Sequence, residues 1–437
     1  LSIKGRAGVF ACFFFLLSAA QPPETTGRKA LDLLLAANYP ELTKLLSPAA
    51  KEKLTPDFLR DHAGAEIKGF GKLESIGKPL LAPSGANTLV SFPVKFSRVE
   101  ISVQFTLDSS SHIAGLFFRP ADSPLPPEWQ RPIYSKPASF HEIDLIVNSG
   151  EWQLPATLTL PNGKGPFPGV VLVHGPGPDD RDETIYSNHM FKDIAEGLAS
   201  RGIAVLRYDK RTFVYATQMS GTSYTLQQET VEDAVHALSL LRSQPSINPK
   251  RTFVVAHSLG GYALPRIAKQ DGKLAGAVVL GGNARPIEDV VLDQATFTTQ
   301  SKVNLTQEDL RRFDNLKAEV EKVKKLQPMG NNPPVVLGLP IAYLLDLKTY
   351  NPVAELKSMP LPVFFLEGER DFQVTMKDFD IWKSGLAGRR STQFRTYKAL
   401  NHLFMAGEGK PSPTEYRIAS NVSGEVVGDI ATWLLAQ

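Results

Sequence analysis

Nine residues, VVAHSLGGY from Val254 to Tyr262, constrain this chain more than any other stretch. An apolar run, a serine and two glycines describe a buried strand that turns sharply at Ser258 into a helix. Such a turn presents the hydroxyl beside a helix N-terminus. The turn is crowded, so its flanking residues must be small. Gly260 and Gly261 meet that need after the serine, whereas Ala256 stands two residues before it, where such turns commonly carry glycine. A methyl group at a strand end needs no positive φ, so Ala256 is compatible with the turn. The plainer alternative is a strand–helix connection with no chemistry in it.

A serine hydroxyl is a weak nucleophile and needs a base, which in turn needs orienting. In sites built on a strand–serine–helix turn, the order along the chain is serine, acid, histidine. Of the eight histidines only His402, in ALNHLF, follows Ser258. The acid is expected just past a strand between the two, and FFLEGERDF supplies Asp371, with Glu367 and Glu369 as rivals earlier in the same turn. Two N–H groups are also needed to hold a developing oxyanion. Leu259, directly after the serine, offers one. The loop after PGVVLVHG should offer the other, but Pro176 has no N–H, which leaves Gly177 as the candidate.

Around this turn, apolar strands alternate with helical patterns from about residue 138 to residue 437. PGVVLVHG, IAVLRYD, TFVVAHS, LAGAVVLGG and LPVFFLEGERD read as strands, with helices between them. That order implies an α/β domain with a mostly parallel sheet covered on both faces. The alternation stops over about 284–358, where Leu310, Phe313, Leu316, Val320, Val323 and Leu326 fall at helical spacing behind a Thr306/Asp309 capping pair. This stretch is expected to be a helical insertion after a sheet strand. Before residue 138 lies a proline-rich linker, 120–137, and before that a small α+β domain, 25–119. In the latter, Arg28–Leu46 reads as one helix, and TLVSFPVKF and VEISVQFTLD as antiparallel strands.

The first twenty residues are different again. Lys4 and Arg6 precede an apolar run, Ala7–Leu17, and small residues at Ser18 and Ala20, the pattern of a signal peptide cut before Gln21. An uncleaved anchor is the alternative; the run is short for a membrane span. These features place the protein outside the cytoplasm, secreted or periplasmic, with no stable membrane insertion after cleavage. The only cysteine, Cys12, lies inside that run, so a cleaved chain has neither disulfides nor thiolate chemistry. A formal charge of +3 without a basic stripe argues against a nucleic-acid partner. The acidic run Asp179–Glu183 is read as local caps and ion pairs rather than a metal site, and Arg207, Asp209 and Arg211 as ion pairs that pin loops.

The segments HGPGPDDRDETI, RYDKR, AHSLGGYALPRIA, GGNARPIEDVVLDQ and LEGERDFQVT resemble the α/β-hydrolase superfamily, in its secreted bacterial carboxylesterase and serine-aminopeptidase-like branch. The first domain resembles, by pattern and order, the DUF3887-like, NTF2-like domain found fused to such hydrolases. The resemblance implies that Ser258, Asp371 and His402 form a catalytic triad with Leu259 as an oxyanion donor, and that the insertion covers the site. It implies hydrolysis of a small-molecule acyl ester without cofactor or metal. A serine peptidase acting on short peptides is the first alternative, and a non-catalytic binding protein on the same fold the second.

Overall fold

The computed structural model describes residues 22–84, 87–120, 129–219, 222–302, 305–327 and 335–437. The expected signal peptide and its cleavage point, and the first part of the expected linker, lie outside the described residues. The chain divides into two compact units, Leu1–Leu125 and Pro126–Gln437.

In the first unit an antiparallel sheet is built from β1 (Leu73–Ile76), β2 (Leu80–Ser84), β3 (Asn87–Phe96), β4 (Glu100–Leu107) and β5 (Ile113–Pro120). Alternate residues of β3 and β4 point inward, and Val90, Phe92, Val103 and Phe105 pack with Ala30, Leu31 and Leu34 of helix α1 (Pro23–Leu35). The stretch expected as one helix over Arg28–Leu46 is two. Ala37 adopts φ 54°, Asn38 caps a new helix, α2 (Tyr39–Lys44), by accepting from the Glu41 N–H, and Pro40 occupies its first turn, where a missing N–H costs nothing.

The second unit is built on an eight-stranded sheet: β6 (Phe140–Ser149), β7 (Trp152–Pro161), β8 (Phe167–Val173), β9 (Ala204–Tyr208), β10 (Ile247–His257), β11 (Gly276–Leu280), β12 (Val363–Gly368) and β13 (Thr392–Tyr397). Their spatial order is β13-β12-β11-β10-β8-β9-β7-β6. The last six in sequence run parallel, and β6 and β7 form an antiparallel hairpin at one edge. Val170 to Val173 and Phe253 to Ala256 are fully buried, and successive residues join opposite apolar layers. That is why these strands read as continuous apolar runs. After β9 the chain crosses back over β8 to lay down β10. The carboxyl ends of β8 and β10 therefore flank a topological switch point, where open parallel sheets form their binding crevice.

The residues before β6 are tied to this unit. Trp129 Nε1 donates to Asp193 at 2.9 Å, and Arg131 and Ser135 donate to the buried Glu196, all on helix α3 (Met190–Ala199). Among the described residues, no helix is long and apolar enough to cross a membrane.

Candidate active site

Ser258 stands between the end of β10 and helix α4 (Leu259–Asp271) with φ 53° and ψ −118°, a conformation that costs a non-glycine residue about 1–3 kcal/mol. The strand holds it there through its N–H, which donates to the Leu280 carbonyl of β11 at 2.9 Å. The flanking glycines are needed for space. A Cβ on Gly260 would lie 2.6 Å from the Val173 carbonyl oxygen and 2.8 Å from that of His174. Ala256, by contrast, packs its methyl group into the core.

Asp371 follows β12, two strands from β10, and His402 follows β13. His402 Nδ1 lies 2.5 Å from Asp371 Oδ2, while Asp371 Oδ1 accepts from the N–H groups of Gln373 and Val374 at 2.7 and 2.9 Å. Three donors thus converge on one buried carboxylate, which fixes the tautomer: His402 carries its proton on Nδ1, and Nε2 is left as an acceptor. Gly281, after β11, makes room for the pair. With φ 53°, a Cβ there would approach His402 Nδ1 to 3.1 Å and Asp371 Oδ2 to 3.2 Å. The rival carboxylates are placed differently. Glu369 accepts from Thr396 at 2.8 Å. Glu367 is buried behind Asp371, and burial together with the Asp371 charge pushes its carboxyl well above the usual range, so it is held neutral.

On the other side of Ser258 is the loop after β8. Gly175 packs against the serine, since a Cβ on it would be 3.2 Å from Ser258 Cβ. Its N–H is already taken by Glu183 Oε1 at 2.8 Å. Pro176 has none, and Gly177, at φ 116°, uses its carbonyl to accept from Thr212, while among the described residues no group accepts from its N–H. The Leu259 N–H is the first of α4, where helix N–H groups lack intrahelical partners.

A strained serine thus stands between a buried strand and a helix, with an Asp–His pair on neighbouring strand ends. The model of the Alpha/beta hydrolase family matches residues 170–411. Over 406 residues the chain is 37% identical to esterase EstD of Thermotoga maritima, covering 92% of this chain and 93% of that one. The chain belongs to the alpha/beta hydrolase family. Among solved structures it is similar to a puromycin-hydrolyzing peptidase of Mycobacterium tuberculosis (16% identity, TM-score 0.45, 81% of this chain and 46% of that one). It is also similar to Est1E from Butyrivibrio proteoclasticus (13% identity, TM-score 0.43, 67% of this chain and 99% of that one). The family match begins in β8 and leaves the first unit outside it.

The hydrolase holds its Gly175 loop from below with a buried cation. Lys210 Nζ donates to the Gly175 carbonyl at 2.8 Å and to Glu229 at 2.9 Å, and Glu229 also accepts from Tyr343 at 2.7 Å. Burial works against the Lys210 charge, but the Glu229 and Asp179 carboxylates outweigh it and its pKa is raised. Asp179 is pushed up to about 7 by burial, against the pull of Lys210.

The acidic run behaves only partly as expected. Asp180 caps the N–H groups of Asp182 and Thr184, and Asp182 pairs with Arg207. Arg181 and Arg211 likewise pair with Asp209 and Asp233. Glu183 does something sequence reasoning missed, because it reaches from this loop to His257 beside the serine, Oε2 to Nδ1, at 3.0 Å. No spacing rule links residues so far apart. His257 itself was the available signal, a polar residue inside an apolar strand end. Among the described residues, no group of three or more His, Cys, Asp and Glu side chains could hold a metal ion.

The insertion begins with helix α5 (Ile287–Gln300), which runs beside the acid turn. Phe297 stacks on Phe372 at 4.7 Å between ring centroids, and Gln294 donates to the Gln373 carbonyl at 3.1 Å. Helix α6 (Gln307–Lys324) follows, opened by a Thr306/Asp309 capping box.

Proposed function

We propose that this hydrolase cleaves carboxylic esters through an acyl-enzyme on Ser258. The observation that carries the reading is the Asp371–His402 hydrogen bond. It leaves His402 Nε2 as a base at the carboxyl ends of the parallel strands, where the strained Ser258 also stands. His402 Nε2 takes the Ser258 proton as Oγ attacks the ester carbonyl. The tetrahedral oxyanion is held by the N–H groups of Leu259 and Gly177. The alkoxide leaves with the proton from His402, and the same base then activates water to release the acid. Asp371 keeps the ring oriented and stabilises its charged form. The choice of ester over amide rests on the likeness to the Thermotoga esterase. Export through the leader at residues 1–20 belongs to the same proposal, and the N-terminal sequence of the protein recovered outside the cytoplasm tests it.

The activity is tested by kcat/KM on p-nitrophenyl acyl esters of increasing length, beside matched aminoacyl p-nitroanilides, for the wild type and Ser258→Ala. Ester turnover that vanishes in the variant, with negligible anilide cleavage, is the expected result. Comparable anilide cleavage assigns the enzyme to the peptidases. Activity that survives in Ser258→Ala removes the serine from the mechanism.

A further inference from the structure

Resting on that reading, we propose that Glu183 and His257 are a positioning pair that ties the oxyanion loop to the catalytic base. One carboxylate serves both sides of Ser258. Its Oε1 accepts the Gly175 N–H at 2.8 Å, and its Oε2 faces His257 Nδ1 at 3.0 Å. His257 then reaches the His402 backbone carbonyl through Nε2, also at 3.0 Å. The two imidazoles lie with centroids 4.5 Å apart. A continuous chain of contacts therefore runs from the loop that carries Gly177, past the serine, to His402.

The geometry sets the charge of the pair. A carbonyl can only accept, so His257 Nε2 carries a proton. The Nδ1–Oε2 contact is a close charge pair rather than an aligned hydrogen bond, and among the described residues neither atom has a hydrogen-bond partner. An unprotonated Nδ1 would therefore point its lone pair at a carboxylate. The proton between them sits either on the carboxyl or on Nδ1; the Gly175 N–H donated to Oε1 favours the carboxylate, which makes His257 an imidazolium and Glu183 its counter-ion. The titration tendencies agree. Burial opposes the charge on both groups, yet each is overridden by its partner: the Glu183 carboxyl is brought down to about 2 and the His257 ring is raised. His174, buried next to them and lowered to about 4 by that burial, stays neutral and donates to the Asp180 carbonyl instead.

The backbone is bent to make this possible. Glu183 sits at φ 49°, in the left-handed region that few non-glycine residues occupy, and is almost fully buried. A residue held that way persists only where its surroundings over-determine it. Here those surroundings are the Gly175 N–H and His257. If the pair loosens, Gly177 and His402 drift relative to Ser258. Drift of about 1 Å in such a site costs on the order of 10²-fold in rate.

The test compares Glu183→Ala, Glu183→Gln, His257→Ala and the double alanine variant with the wild type, on p-nitrophenyl acetate and in the rate of labelling by a fluorophosphonate. Glutamine can keep both contacts, with Oε1 on the Gly175 N–H and its amide donating to a neutral His257 Nδ1. The expected result is a kcat loss on the order of 10²-fold in Glu183→Ala with KM little changed, largely recovered in Glu183→Gln. The double variant should be no slower than the slower single one, because the residues act as a unit. Should Glu183→Ala fail to fold, His257→Ala against Glu183→Gln carries the same comparison. Wild-type kcat in the alanine variants, or additive losses, overturns the pairing. A wild type inert to the phosphonate overturns the serine-hydrolase reading itself, and the pair's role falls with it.

Discussion

Asp371 and His402 are 31 residues apart in sequence and 2.5 Å apart in space, joined because β12 and β13 are parallel neighbours that end at the same sheet edge. The pairing converts a turn carboxylate and a loop histidine into an oriented base. Asp371→Asn keeps the shape but offers an amide where the Nδ1 proton needs an acceptor. The expected outcome is a fall in kcat on the order of 10⁴-fold with KM nearly unchanged, read from steady-state kinetics on an activated ester.

Gly281 leaves the space in which this pair sits, at a φ of 53°. Gly281→Ala puts a methyl group within 3.2 Å of both partners. The variant should lose about 1–2 kcal/mol of stability from the left-handed backbone alone. It should also lose activity well beyond what its melting temperature explains, a split that thermal denaturation and kcat at low temperature measure together.

The two small residues flanking Ser258 should respond in opposite ways. Gly260→Ala drives a Cβ into the carbonyl oxygens of Val173, at the end of β8, and of His174, and is expected to yield little folded protein. Ala256→Gly removes one buried methyl group from a strand and should cost only about 1 kcal/mol, leaving kcat close to wild type. Soluble expression, denaturant midpoints and ester turnover check both.

Lys210 and Glu229 form a buried ion pair beneath the Gly175 loop. Lys210→Met leaves the carboxylate, among the described residues, with Tyr343 as its one remaining side-chain donor, and should destabilise the protein by about 3–5 kcal/mol in urea titrations.

The Glu183–His257 pair predicts a pH window for stability. The Glu183 carboxyl is depressed, so its contribution is full above its ordinary 4.5 and is lost as pH falls toward about 2. The His257 ring is raised, so its contribution is full below 6.5 and is lost as pH climbs through the folded value. The difference in melting temperature between wild type and Glu183→Gln should therefore peak between 4.5 and 6.5 and shrink on both sides. A difference that is flat across pH contradicts the charge assignment.

Much of this site was legible in the sequence because its chemistry follows chain order and local crowding. A serine between an apolar run and glycines, and a single histidine downstream, leave few arrangements open. The parallel strands were visible for the same reason, their burial on both faces making each an unbroken apolar run. Other features depend on contacts that no local pattern records. The edge strand β6, FHEIDLIVNS, was not legible as a strand, because it faces solvent and mixes charge with apolar residues. Glu183 reads as one more acid in a polar loop, and only the fold brings it to His257. The break at Ala37 could have been read from Asn38 and Pro40, a capping residue and a helix-start proline inside an otherwise periodic run.

The proposed hydrolysis passes through a covalent intermediate on Ser258. Intact-mass spectrometry of the protein after reaction with a p-nitrophenyl ester or a fluorophosphonate tests it most directly. One adduct per chain, mapped to the peptide containing Ser258 and absent from Ser258→Ala, is the predicted result. Turnover with no adduct, or an adduct that persists in Ser258→Ala, contradicts it.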